Sequence, residues 1–227
     1  MNRTIVTSRR TALAAGALAL ATVAGTALAD SADASTAPTT SPVATTAVDP
    51  NDAHGALLRA DQMPVVNDEQ HWARAATRHT RLSRSQTGVL SDLGFVAKAR
   101  RDFVEPGAQA TSVVLTFADT AKAQAAYAEV KAWRTHTGDR IPSAGRLLFT
   151  GNATPVDVPA GKASYFTFVY KTDRSAFEGT FEWVGVTRRG AAVSIVAWRV
   201  NGADATYDVD PTIAPVQTAN AKLARLG

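Results

Sequence analysis

The stretch Phe177–Val200, FEGTFEWVGVTRRGAAVSIVAWRV, decides the fold. Two apolar runs, 177–187 and 191–200, flank Arg188-Arg189-Gly190, where the glycine supplies the positive φ that a tight hairpin turn requires. The second run places apolar side chains at both odd and even positions, which is typical of a strand buried on both faces. We therefore expect an antiparallel hairpin that is covered on both sides; a concave apolar surface on one side is the alternative.

The segments upstream extend this hairpin into a sheet. Residues 163–171 form a third run that is apolar at both parities. Residues 95–104 and 111–117 form two more runs, joined by Glu105-Pro106-Gly107, a turn sequence. Residues 146–150 form a short additional strand. Short connections between neighbouring strands favour antiparallel pairing.

Two amphipathic helices are predicted to cover this sheet. The first covers 120–136, with Asp119 as its cap and an apolar stripe that ends at Trp133. The second begins at Pro215, a residue that suits a first helical turn. The element order predicts an α+β fold, a mainly antiparallel sheet with packed amphipathic helices, or α/β sandwich.

The segment before the sheet gives a weaker signal. Residues 54–64 are predicted to form a short helix that stops before Pro64, and 86–93 a second short helix that ends at Gly94. Residues 71–85 fit either a helix or a strand.

The N-terminus carries an export signal. Residues 1–10 hold three arginines and no acid, an uncharged apolar run follows to Leu28, and Ala27-Leu28-Ala29 is a typical cleavage site. Arg9-Arg10 resembles the twin-arginine (Tat) pattern, and the alternative is an ordinary Sec signal. We expect residues 1–29 to be this signal peptide, 30–53 to be an Ala/Thr/Ser/Pro-rich flexible linker, and 54–227 to be one domain. The protein is then secreted after cleavage near Ala29, without stable membrane insertion.

Composition excludes several function classes. The chain contains no cysteine, so it has neither disulfides nor thiolate chemistry. The basic excess of 24 Lys and Arg over 20 Asp and Glu lies mostly in the signal peptide, and the remainder is close to neutral. We therefore predict no nucleic-acid partner.

No catalytic or metal-binding motif is apparent. There is no Gly-x-Ser-x-Gly, and none of the four histidines has a metal-ligand spacing. Glu178 and Glu182 are predicted to point from one strand face at a separation of ~13 Å, too far for a glycosidase pair, and are interpreted as solvent-facing charges. No cofactor, metal or catalytic residue is predicted.

Two candidate binding surfaces remain. Trp183 and Trp198 lie on neighbouring strands of the hairpin, where they are either core residues or platforms that line a ligand cleft. A second candidate is a cationic stripe, made of Arg74, Arg78, Arg81 and Arg84 if 71–85 is helical. Its partner is expected to be an anionic wall polymer, lipid headgroups or an acidic protein.

The layout of the chain resembles a known family. The features are LLRADQMP at 57–64, Leu93-Gly94-Phe95, Phe117-Ala118-Asp119 before an alanine-rich helix, and VGVTRRG at 184–190. They resemble the PknH-like extracellular sensor domains, in a free-standing secreted form. The resemblance implies an α/β sandwich with a cleft and a binding role, and it implies no catalytic residue.

These observations lead to one functional expectation and two alternatives. We expect a secreted, non-enzymatic, sensor-type binding domain for an unknown small molecule or cell-wall component. The first alternative is a module that binds an extracytoplasmic protein through the Arg74–Arg84 stripe. The second is a cell-wall hydrolase.

Overall fold

The predicted strands come together in one antiparallel sheet of eight within the described residues. The computed structural model describes residues 50–65, 71–77, 80–173, 178–202 and 209–227. The helices are α1 (Pro50–Gly55), α2 (Thr120–Ala132) and α3 (Ile213–Leu223). The strands are β1 (Ala73–Ala75), β2 (Ala97–Glu105), β3 (Ala108–Thr116), β4 (Arg146–Thr150), β5 (Thr154–Pro155), β6 (Lys162–Lys171), β7 (Thr180–Arg189) and β8 (Ala192–Asn201).

The hairpin predicted within residues 177–200 lies inside this sheet. The strand order is β1-β2-β3-β8-β7-β6-β4, and the two-residue β5 pairs with β6. Strands β7 and β8 pair along their whole length, and Gly190 turns between them with φ 54°. The α+β fold class is confirmed.

Both faces of the central strands are covered, as their double apolar parity predicted. On one face, here called the α2 face, side chains such as Val113, Val184 and Ile195 pack under α2. The opposite face, here called the α3 face, carries Trp183 and Trp198 together with residues of α3. The α2 face bears the odd positions of β3 and β8 and the even positions of β7, because directly paired residues point to the same side.

The lead-in segment differs from its prediction. Helix α1 starts at Pro50 and ends at Gly55, and only a 3₁₀ turn follows, at Ala60–Gln62. The helix does not continue through Leu58, because the backbone groups of this residue bond to the sheet instead of to helical neighbours. Its N–H donates to Ser112 Oγ at 3.1 Å, and its carbonyl accepts from Arg101 at 2.8 Å. The fold also begins before residue 54, since Ala53 of the predicted linker is fully buried.

The prediction for 86–93 is partly wrong, whereas for 71–85 the structure decides between the two alternatives left open. The helix expected at 86–93 is reduced to a 3₁₀ turn at Leu90–Leu93, although Gly94 does end it with φ 71°. A helix over 71–85 does not form in the described part of that range: β1 pairs with β2, and residues 80–89 have no regular secondary structure. None of the helices in the described ranges is long and apolar enough to cross a membrane.

Candidate functional site

The α2 face is apolar only where α2 covers it. Beyond the end of α2, the same face carries polar side chains from β2, β3, β7 and β8. Register places them side by side: Asp102 opposite Thr111, Gln109 opposite Arg199, and Arg199 opposite Glu182. Residues 80–89, here called the arginine loop, lie over this polar half.

A cavity of about 410 Å³ lies between the arginine loop and these strands. This volume falls within the range of small-molecule sites, which is ~300–1,000 Å³. Five of the described residues that line it are arginines from four different parts of the fold: Arg81 and Arg84 of the loop, Arg100 of β2, Arg140 after α2, and Arg199 of β8. It is here called the arginine cavity.

The arginine loop is held by its own side chains. Ser83 Oγ lies 2.7 Å from Ser85 Oγ and accepts from the Ser85 N–H. Gln86 accepts from the Leu82 N–H at 2.9 Å and donates to the Gly88 carbonyl at 2.8 Å. The buried polar side chains therefore give a segment without helix or strand a defined shape.

Glu182 fastens this loop to the sheet. Its Oε1 accepts from the Arg84 N–H at 2.7 Å, and Tyr170 donates its hydroxyl to Oε2 at 3.3 Å. The Arg84 guanidinium lies over the Tyr170 ring, 5.3 Å from its centroid. The interpretation of Glu182 as a solvent-facing charge is wrong, because it is only 1% exposed.

Burial raises the pKa of Glu182. Hydrogen bonds from Ser83 and the Arg84 backbone, together with the charge of Arg199, act in the opposite direction and offset part of this rise. Burial, together with the Glu182 carboxylate, also raises the pKa of Tyr170. Tyr170 is thus a neutral phenol that donates its hydrogen.

Most of the cavity arginines have neutral partners. Arg100 is the exception: its Nε lies 2.9 Å from Asp102, which also accepts from the Thr111 hydroxyl. Arg199 donates to the Gln109 side chain at 2.6 Å, and Arg140 donates to the Thr87 carbonyl at 2.6 Å.

The consequence is a positively charged site. No carboxylate of the described residues forms an ion pair with Arg81, Arg84, Arg140 or Arg199. Guanidinium groups bind carboxylate and phosphate oxygens through paired N–H donors, and several around one cavity attract an anion strongly. Guanidinium groups gathered in this way can bind and orient an anionic group.

The structure separates the two predicted binding surfaces. Trp183 and Trp198 are 0% and 1% exposed and stack on each other with ring centroids 4.0 Å apart. Trp198 borders the arginine cavity from beneath, but its indole belongs to the α3 face and donates to Thr212 Oγ1 at 3.1 Å. This burial is what the core interpretation of the two tryptophans predicts; ligand contact by them stays a prediction.

The predicted arginine stripe is divided in the same way. Arg74 is exposed on β1, opposite Phe103, and therefore belongs to the α3 side of the sheet. Arg81 lies at the cavity on the other side, and Arg78 is outside the described residues. Of the described residues of the stripe, Arg81 and Arg84 reach the site and Arg74 does not.

Sequence reasoning missed Arg100, Arg140, Arg199, Asp102 and Glu182. For two of them a signal was present: Glu182 and Arg199 lie near the ends of apolar strands, two residues from Val184 and Ala197, which face the core. Such residues belong to a buried face that has turned polar. Among the described residues no group of three or more histidine or acidic side chains is placed to hold a metal ion.

The comparisons with known proteins assign no family. No protein-family model matches the chain, and no curated protein matches it. The geometry of the arginine cavity is therefore the basis for a functional proposal.

Proposed function

We propose that this chain is a secreted, non-enzymatic binding module of the extracytoplasmic sensor type, and that its arginine cavity takes an anionic group. The observation that carries the proposal is the set of four guanidinium groups around one cavity that form no ion pair with a carboxylate of the described residues. Like charges placed together on a folded protein repel one another, and an anion bound among them would offset this repulsion.

The surroundings of the cavity favour binding over catalysis. The hydroxyls of Ser83 and Ser85 bond to each other, and both acidic residues of the cavity are engaged, Asp102 by Arg100 and Glu182 by the loop. A nucleophile with an adjacent free base, the usual arrangement for acyl or glycosyl hydrolysis, is absent from the described lining. The cell-wall hydrolase alternative therefore receives no support from this site.

The export signal and the resemblance to PknH-like sensor domains agree with this proposal. Both imply a protein that meets its ligand outside the cytoplasm. The alternative of a protein partner held by the Arg74–Arg84 stripe is less favoured, because Arg74 and Arg81 lie on opposite sides of the sheet.

The proposal is tested by titrating inorganic phosphate into the purified chain by calorimetry, in a buffer without other multivalent anions. We expect saturable binding of one phosphate. Arg140→Gln and Arg199→Gln should each weaken it by ~10–100-fold, because each removes a charge-assisted hydrogen bond of ~1.5–3 kcal/mol. Arg225→Gln, an exposed arginine in the C-terminal turn, is the matched control and should leave binding unchanged.

Two results would contradict the proposal. One is the absence of saturable binding by both phosphate and sulfate to a chain that is folded by circular dichroism. The other is an equal loss of affinity in Arg225→Gln and Arg199→Gln, which would mean that net charge alone attracts the ion.

A further inference from the structure

A second cavity opens beside the arginine cavity at one end of the sheet. It measures about 700 Å³ and shares Arg84, Gln109 and Arg199 with the first. Strands β2, β6 and β8 end there and β3 and β7 begin there, because neighbouring strands run in opposite directions. It is here called the strand-end cavity.

The chemistry of the strand-end cavity differs from that of its neighbour. Apart from the shared arginines, the polar residues of its lining are neutral or acidic: Glu105, Gln109, Tyr170, Thr172, Glu178, Thr180 and Asn201. These side chains offer mainly carboxylate, amide and hydroxyl oxygens, which accept hydrogen bonds. A ligand portion rich in O–H donors matches them.

Glu105 independently indicates that a hydrogen-bond donor is missing from the strand-end cavity. Its Oε2 is buried and has no hydrogen-bond partner in the described structure. A buried carboxylate oxygen without a donor is unfavourable, so a ligand hydroxyl that donated a hydrogen bond to it would stabilise the complex. Glu178 supplies a second carboxylate at this cavity, exposed and beside Gly202.

We infer that the two cavities form one composite site for a sugar phosphate monoester, with the phosphate among the arginines and the sugar hydroxyls among the oxygens of the strand-end cavity. This inference rests on the proposed anion-binding function and adds the class of ligand. Gln109 lies at the junction: its Oε1 accepts from Arg199, and it lines both cavities. The two parts of such a ligand therefore meet groups of complementary character over a continuous surface.

The test compares glucose 6-phosphate, inorganic phosphate and glucose by calorimetry on the purified chain. Glucose 6-phosphate should bind at least ~10-fold more tightly than phosphate, and glucose alone only weakly. Glu105→Gln and Glu178→Gln should each weaken glucose 6-phosphate by about tenfold, because each replaces a carboxylate acceptor by an amide. The same variants should bind inorganic phosphate equally or more tightly, since a negative charge near the anion has been removed.

The opposite effects expected on the two ligands separate hydrogen bonding from simple charge. If charge alone mattered, these variants would bind both glucose 6-phosphate and inorganic phosphate more tightly. Asp157→Asn, an exposed carboxylate between β5 and β6 that lines neither cavity, is the control and should change the binding of neither ligand. Binding of phosphate without any preference for glucose 6-phosphate would overturn this inference while leaving the anion-binding function intact. Absence of phosphate binding would overturn the function itself. Tighter binding of the diester glycerophosphoglycerol than of glucose 6-phosphate would overturn the choice of a monoester.

Discussion

Truncation of Trp198 separates a core role from a ligand-contact role. The indole is 1% exposed, stacks on Trp183 at 4.0 Å and donates to Thr212. Trp198→Ala removes all three contributions, and buried aromatic-to-alanine changes cost ~3–5 kcal/mol. For a domain of this size we expect the midpoint of thermal unfolding to fall by ~6–20 °C.

Urea unfolding measured by tryptophan fluorescence and circular dichroism gives the free energies of unfolding. Trp198→Phe keeps a ring in place and should cost only ~1–2 kcal/mol, mainly through the lost bond to Thr212 and the reduced volume. Phe149→Ala is the matched control: Phe149 is 54% exposed on the edge strand β4, so its loss should cost ~0.5 kcal/mol or less. The reasoning fails if Trp198→Ala is as stable as the wild type, or if folded Trp198→Phe no longer binds phosphate.

Three further predictions concern the scaffold and the loop that it holds. Gly185→Ala should destabilise the protein by ~1–3 kcal/mol in urea unfolding, because the added Cβ would overlap the Val216 side chain of α3; equal stability would contradict this packing. Asp119→Ala should cost ~1 kcal/mol, because Asp119 caps α2 by accepting from the Lys122 N–H at 2.7 Å, and Asp119→Asn should cost far less. Glu182→Gln should change how stability depends on pH. Since the folded protein raises the pKa of Glu182 above its ordinary value near 4.5, the free energy of unfolding of the wild type should fall as pH rises from about 4.5 through the folded pKa, and the variant should lack this part of the decrease. A constant difference between variant and wild type from pH 4 to pH 8 would refute it.

The sheet was predictable because its strands carry strong local signals. Gly190 fixes the central hairpin, and Gly107 does the same between β2 and β3 with φ 76°. The double apolar parity of β8 correctly indicated cover on both faces. Helix α2 was also predictable, since Asp119 caps it and its apolar stripe faces the sheet.

The candidate site could not be read from local patterns. It joins Arg81, Arg100, Arg140 and Arg199, which are distant in sequence and meet only through strand register and the path of the arginine loop. The burial of Glu182 was missed for the same reason: the segment that covers it comes from about a hundred residues earlier in the chain. Tertiary contacts of this kind override the usual expectation that a charged residue on a strand faces water.

The central claim is that the cavity arginines bind an anion, and it is tested most directly by nuclear magnetic resonance of the arginine Nε–H groups. Their signals are assigned with single Arg→Lys variants, and inorganic phosphate is then titrated into the purified chain. We expect the signals of Arg81, Arg140 and Arg199 to shift and saturate with one common dissociation constant. The signal of Arg59, an exposed residue paired with Asp61, should stay in place. Weak, unsaturated shifts spread over all exposed arginines, or no shift at the cavity, would contradict the account.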